Sequence, residues 1–574
     1  MAGRTDRSTA DDWFDTGEEI GRTRGILFKW FCLGATMLAL GLMLVFLLYV
    51  ANDAFQPLTA DPMWLGLFGL VVIAPAFVFA AYVYRNESQA GRVAYTALGL
   101  PLVATLAAGG IWIVFAHIVT PHEWFALFLS LLAAAAVIEG HTRVRPDVVL
   151  ERLGVVVLVP LLALVGIPAI SIDVLVRTPL LGQELFRVDL STPELLPSVR
   201  AVILSLPVLP APGLVLLGTV AVPIAAAIGW HIRRVRESER DGAVAFGATA
   251  ALAGVGLATA PAVGITTTTW ILFATIVGGA CGLYTEHVLR RREGTIGLAF
   301  PIVVAVGFAL LWALAGTLGV AGPDSWLNWS FLTSPHNTTA TEAGIYPALV
   351  GSILILVVIV ISAFPIGVGA AIYLEEYAPT QGRMSQIVEL IEVNIANLAG
   401  VPSVVYGVLG LAVFIRVIGM ENGTALVGGL TIGLLILPIV IISAQEAIRS
   451  VPDSRRNAAY GMGATKWQTV RGVVLPEAIP GILTGTILAL GRAIGETAPL
   501  LMIGVPAVVR TSPNSFTSRT GAMSRQIYTW STQIGVDFRY GVLAAGVITL
   551  LVVLLTMNAT AIVLRNRYQR TQNG

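Results

Sequence analysis

Charge is what this sequence has least of: only 12% of its 574 residues are Asp, Glu, Lys or Arg, against roughly 25% in a soluble globular protein. With 56% hydrophobic residues, that shortage excludes a water-soluble domain and points to a polytopic membrane protein. Cysteine occurs only at Cys32 and Cys281, both in apolar runs, so no disulfide framework is expected. The six histidines are scattered singly, and no metal site is expected. No G-x-x-x-x-G-K-[ST] stretch occurs. If ATP drives this protein, another polypeptide must bind it. Net charge is only +1, and no nucleic-acid partner is expected. A cleavable signal peptide is not expected either, because residues 1–25 are polar and the apolar run from Ile26 to Val50 is too long for a signal core.

What the sequence does have is long apolar runs. About fourteen reach spanning length, near 26–50, 64–84, 93–117, 123–139, 152–172, 211–230, 243–262, 267–289, 296–320, 346–374, 394–418, 424–444, 480–505 and 541–564. The expected fold is therefore an all-α transmembrane bundle. Loops at 85–92, 141–152, 231–240, 290–293 and 445–479 are rich in arginine, whereas 51–63, 118–122, 263–266 and 321–345 hold no Lys or Arg. By the positive-inside rule the first set is cytoplasmic, and so are both termini. One outside loop, 506–540, departs with Arg510, Arg519, Arg525 and Arg539 against a single acid, Asp537. Chance explains this, and so does an anion-attracting vestibule. Segment 172–210 is expected to be partly irregular. The triplets "NWS" (328–330) and "NTT" (337–339) match glycosylation acceptors, a weak pattern.

Two letters interrupt the apolar stretch "GRAIGETAPLLMIG" (491–504): Arg492 and Glu496. An arginine at mid-helix costs ~2.5–3.5 kcal/mol on insertion scales, so it needs a partner. Glu496 lies one helical turn on, and the pair is expected to neutralise itself facing the bundle interior. A guanidinium suits bidentate contact with a phosphate-like oxyanion. The carboxylate can hold it in place and accept a proton from an anion that still carries hydrogen. That favours phosphate over sulfate. A structural ion pair locking two helices is the alternative. Asn394, Asn397, Ser403 and Tyr406 could line a path, or simply bond helix to helix. Glu375 and Glu376 end a span and are expected to be interface charges.

Segment 445–479 reads as a helix–turn–helix knob. Pro452 suits a helix start, Gly461 and Gly463 permit a turn, and Thr465 with Gln468 forms a capping box for a second short helix. Trp467, Val470 and Val474 are expected on one face, with Pro476 and Pro480 marking its end. Such a knob fits a groove on another protein. An amphipathic loop on the bilayer is the other reading.

"NAAYGMGATKWQTVRGVVLP" resembles the EAA loop of ABC-importer permeases at Ala458, Ala459, Gly463, Val473, Leu475 and Pro476, with Asn457 in place of the glutamate. "GRAIGETAPLLMIG" resembles the PstA/PstC phosphate permeases, and "ETAPLL" favours the PstA side. "WSFLTSP", "AGIYPALVGSILI", "PIGVGAAIYLEEYAP" and "LAGVPSVVYGVLGLAVF" agree in order. The resemblance covers roughly 321–574 plus the first span. It departs after "PIVI" (438–441), where Ile442 stands and relatives often have arginine.

This resemblance implies a type I importer core at 321–574, preceded by a first helix within 1–62 and an additional multi-span region at 63–320. It implies Arg492 and Glu496 as substrate-path residues. Asn457, Ala458, Ala459, Gly463, Trp467, Leu475 and Pro476 would belong to the loop that couples to the ATPase. The implied partners are a PstB-like ATP-binding dimer carrying ATP-Mg, a PstC-like second permease, a PstS-like phosphate-binding protein and inorganic phosphate. The chain itself is expected to hold no cofactor and to be a transport subunit of the cell membrane rather than an enzyme. A permease for molybdate or sulfate and a non-transport regulatory membrane protein are the alternatives. An intramembrane enzyme would need convergent His, Asp or Ser groups, and the sequence offers no such cluster.

Overall fold

The computed structural model describes residues 22–86, 88–145, 149–167, 171–177, 184–191, 196–379 and 381–572. The polar segment before residue 22 lies outside them. Among the described residues, twelve helices are long and apolar enough to cross a membrane, or thirteen if one bent pair counts as a single span. The multi-pass helical architecture is as the apolar runs predict, with three local differences. The expected span 152–172 is helical only over Val149–Val165. The segment expected to be partly irregular begins as an antiparallel ribbon, Ser171–Arg177 paired with Glu184–Ser191, the one exception to an all-helical body among the described residues. The expected span 394–418 is two helices, Arg383–Ala399 and Ser403–Val417, meeting at 106°.

Prolines follow several of the places where these helices widen. A π turn ends two residues before Pro75, Pro223 and Pro476, over Gly69–Ile73, Leu217–Ala221 and Val470–Val474. Each proline lacks the N–H that the helix ladder needs, and the widened turn absorbs the mismatch without ending the helix. The expected short helix after the knob is thereby corrected: one helix runs from Lys466 to Gly495, through both Pro476 and Pro480.

At the centre, helix Tyr346–Tyr377 packs on helix Ala425–Arg449 around Leu354, Ile355, Ile359, Ile432, Leu435 and Ile436, all buried. Gly429 allows the close approach, since a Cβ there would collide with Val358 and the Ile355 carbonyl. Helix 466–495 packs on the same central helix, with Gly481 against Ala447 and Gly485 against Ser443. The last helix, Phe538–Ile562, holds the first: Val50 and Ala54 pack with Ala544, Val547 and Ile548.

The helices between residues 62 and 318 dock on this core chiefly through Ser88–His117. Ile113 is buried in the central cluster, Trp112 packs against both that cluster and one around Leu216 and Leu272, and the His117 imidazole Nε2 meets the Tyr346 hydroxyl at 2.9 Å. The additional region and the core thus share packed side chains.

Candidate functional site

Helix 466–495 ends four residues before Pro499. Continuing would set the proline ring against the Gly495 carbonyl, four residues back. Instead Glu496 adopts extended backbone (φ −70°, ψ 125°) and a short turn of helix follows over Ala498–Met502. The expectation that both charges sit inside one helix is corrected: Arg492 is in the last turn and Glu496 caps it. A cation there also meets the negative end of the helix dipole.

The pair forms across this break, with Arg492 Nε donating to Glu496 Oε1 at 3.2 Å. The Glu496 main-chain carbonyl accepts from the Ser524 hydroxyl at 3.1 Å. Ser524 belongs to helix Met523–Ser531, which is fixed by Met523 N–H donating to Ser352 Oγ at 2.8 Å and by Gln526 donating to the Gly344 carbonyl at 3.1 Å. Ala493 lines one crevice with Ile355 and Ile432. Ile355 lies nine residues into the helix that starts at Tyr346, about 14 Å along its axis. The pair therefore lies level with the interior of a helix long and apolar enough to cross a membrane.

Its orientation differs from expectation. The Arg492 side chain is 48% exposed and that of Glu496 15%. Leu488, one turn earlier on the same face, is 69% exposed, whereas Ala489 and Ala493 are buried. The guanidinium thus lies on the outer surface of this chain's bundle rather than in its interior. Small residues on the opposite face give the closer packing, so that face binds helix 425–449 and leaves Arg492 outward. Its Nη groups hydrogen-bond to no described residue.

The 106° elbow is built by Gly400 and Pro402. Pro402 offers no N–H to the helix ladder, and the Tyr406 hydroxyl donates to the Leu398 carbonyl at 2.8 Å, pinning the inside of the bend. Gly407 then packs on Pro499 and Met502, bringing the elbow against the break that follows Glu496. Of the four candidate lining residues, Tyr406 is buried and engaged by the bend, and the Asn394 amide donates to Leu390 of its own helix at 2.6 Å. The Asn397 main-chain carbonyl accepts from Gly400 N–H at 3.1 Å. The structure gives none of these residues or Ser403 a hydrogen bond to Arg492.

At the other end of the helices, the knob comprises helix Asp453–Gly461 and a turn closed by Gly463 at φ +85°. The capping box is present: Gln468 N–H donates to Thr465 Oγ1, and Thr465 N–H to Gln468 Oε1. Ala459, Val470 and Val474 are buried, while Asn457, Ala458 and Gly463 are exposed. Trp467 is 57% and Met462 83% exposed. Trp467 thus does not share the buried valine face. Leu475 and Pro476 are half-buried at the root of the returning helix.

Sequence reading missed Ser524, because nothing in its spacing ties it to Glu496, 28 residues away. It also missed that Glu375 and Glu376 pair with Arg449 and Arg456. The glycosylation triplets are engaged locally: the Asn328 amide donates to the Ser325 carbonyl and that of Asn337 to Glu342.

Twelve helices of spanning length and composition among the described residues, with a charged pair at the end of one and an exposed knob between two, make this a multi-pass membrane protein. Residues 363–567 match the family described as binding-protein-dependent transport system inner membrane component. The chain is 33% identical over 213 residues to a probable ABC transporter permease, YqgI, of Bacillus subtilis, covering 37% of this chain and 69% of that one. It is 35% identical over 221 residues to the phosphate transport system permease PstA of Yersinia pestis, covering 38% and 72%. It is 38% identical over 160 residues to PstA 1 of Mycobacterium tuberculosis, covering 28% of this chain and about half, 51%, of that one. The chain belongs to this family of ABC transporter permeases.

Proposed function

We propose that this chain forms half of the translocation path of an ATP-driven phosphate importer in the cell membrane. The observation that carries the reading is the Arg492–Glu496 pair, with a guanidinium level with the interior of a helix of spanning length, free Nη donors and an uncovered outer face. Left against lipid, that cation costs ~2.5–3.5 kcal/mol. A second permease of PstC-like kind covering the face removes the cost and encloses a polar seam. The guanidinium binds the anion's oxygens and Glu496 accepts its hydrogen, which favours hydrogen phosphate over sulfate or molybdate. Resemblance to the phosphate permeases named above supports the same substrate.

The knob seats in a PstB-like ATP-binding subunit, whose ATP-Mg supplies the free energy. Its exposed Trp467 and Met462 beside Gly463 and Ala458 suit a groove. In this reading the knob end and both termini are cytoplasmic, in keeping with arginine-rich loops on that side. A PstS-like binding protein delivers phosphate to the opposite end, where Arg510, Arg519, Arg525 and Arg539 reside. The test is Arg492→Ala in the reconstituted complex. Phosphate uptake is expected to be lost with assembly intact, and unchanged uptake removes the assignment.

A further inference from the structure

The base of the knob is tied to the membrane helices by arginine. Arg456 is the centre of this tie, and its side chain is only 15% exposed. Its Nη1 donates to the Val451 carbonyl at 2.5 Å and to Asp453 Oδ1 at 3.0 Å, and its Nη2 to the Ile448 carbonyl at 2.8 Å. Nε and Nη2 both reach Glu376 Oε1 at 3.3 Å. Glu376 is 8% exposed and belongs to the π turn Tyr373–Tyr377 that ends the central helix. One guanidinium therefore joins three parts: the last turn of helix 425–449, the start of the knob helix and the end of helix 346–377.

Neighbouring contacts are weaker versions of the same tie. Arg449 grips Glu375 through Nη2 at 2.5 Å and Nε at 3.4 Å, but its side chain is two-thirds exposed. Lys466 Nζ lies 5.3 Å over the Tyr377 ring. Arg455 reaches Glu477 at 2.8 Å, which joins the knob only to the root of its own returning helix. Water screens the exposed pairs. Arg456–Glu376 is shielded, and removing Arg456 takes from the buried Glu376 the cation it pairs with, whereas removing Glu376 leaves Arg456 held by Asp453 and two carbonyls on the knob side alone.

We propose that Arg456–Glu376 is the strut that carries movement of the knob into helix 346–377. That helix packs directly on helix 425–449 and, through Ser352, holds Met523 in the segment whose next residue bonds Glu496. A push on the knob is thus delivered to the central helices together instead of being absorbed by hinging at Pro452. The inference rests on the importer reading and adds the positioning residues that join its two ends.

The test uses the complete complex, with its ATP-binding subunit, in proteoliposomes. Glu376→Gln is expected to assemble, to keep its basal ATPase, and to lose at least tenfold in phosphate transported per ATP hydrolysed. Arg456→Lys, which keeps a charge but not the fork, should lose less. Arg455→Gln should match the wild type. Uptake and ATPase falling in proportion, or an unchanged ratio in Glu376→Gln, overturns the strut. A second measurement stands even if that variant does not assemble. Spin labels at Ser454→Cys and Ala378→Cys should keep one separation with and without ATP, and a separation that changes overturns the proposal. A wild-type complex without phosphate-dependent ATPase sinks the importer reading instead.

Discussion

The Ser524 hydroxyl holds the main-chain carbonyl of Glu496, donating to it at 3.1 Å across the break that ends the charged helix. This carbonyl belongs to the four that a helix C-terminus leaves unpaired. Without Ser524 the extended backbone at Glu496 has one fewer constraint, and the carboxylate that steadies Arg492 is less well placed. Ser524→Ala removes one neutral hydrogen bond, worth ~1 kcal/mol net. Phosphate uptake should fall about fivefold at subsaturating substrate, with assembly unchanged. Uptake equal to the wild type would show that the bond does not position the pair.

Glu496 makes a separate contribution, to selectivity. Its carboxylate near the anion repels a fully deprotonated dianion, and a unit pair at 4 Å is worth up to about 4 kcal/mol near a protein surface. Glu496→Gln keeps the shape and removes the charge. Sulfate should then compete with phosphate at least tenfold more effectively than in the wild type. Unaltered competition with phosphate uptake intact contradicts this role for the carboxylate.

How much of this was legible follows from what each signal encodes. Run length marks the spans because a bilayer demands about 20 apolar residues, so helices such as 346–377 and 425–449 were plain. Proline was ambiguous: Pro476 sits inside a continuous helix behind a π turn, while Pro402 and Pro499 sit at breaks. Nothing local separates the two outcomes, because packing at Gly407 and Ser524 decides them. The charged pair was found by its cost in an apolar run. The exposure of Arg492 was not, since one chain's sequence does not say which helical face another protein covers. Glu376 reads as an end charge, but Arg456 lies 80 residues on and no periodicity connects them.

His336 supplies a pH dependence outside the membrane-spanning helices. It is buried, and its Nδ1 accepts from the Trp530 indole N–H at 3.3 Å. Burial holds its pKa below the usual histidine value, and the positive charge of Arg510 lowers it further. A depressed folded-state pKa means that the stabilisation is complete above pH ~6.5. It is lost as pH falls from there through the folded value, because the unfolded chain takes up the proton first. Thermal unfolding of the purified chain should therefore show a Tm that drops from pH 7.5 to 5.5. His336→Asn keeps an acceptor without a titrating ring and should flatten that drop. The same slope in both proteins would assign the effect to other groups.

Trp467 tests whether the knob is a docking element or a bilayer-surface loop. Its neighbours along the helix, Thr469 and Val470, are buried, yet the indole is exposed, as is Met462. Little of this chain's own packing depends on it, so Trp467→Ala should leave the permease as stable as before. Buried aromatic anchors at interfaces commonly carry 2 kcal/mol or more, and a loss of that size weakens binding about 30-fold. Titrating the purified ATP-binding subunit onto the permease should show that loss for Trp467→Ala and little change for Asn457→Ala. Asn457 is exposed but presents only a neutral amide where the EAA pattern has a carboxylate. Equal affinity for the tryptophan variant and the wild type, with both proteins folded, would place the indole against lipid and remove it from the contact.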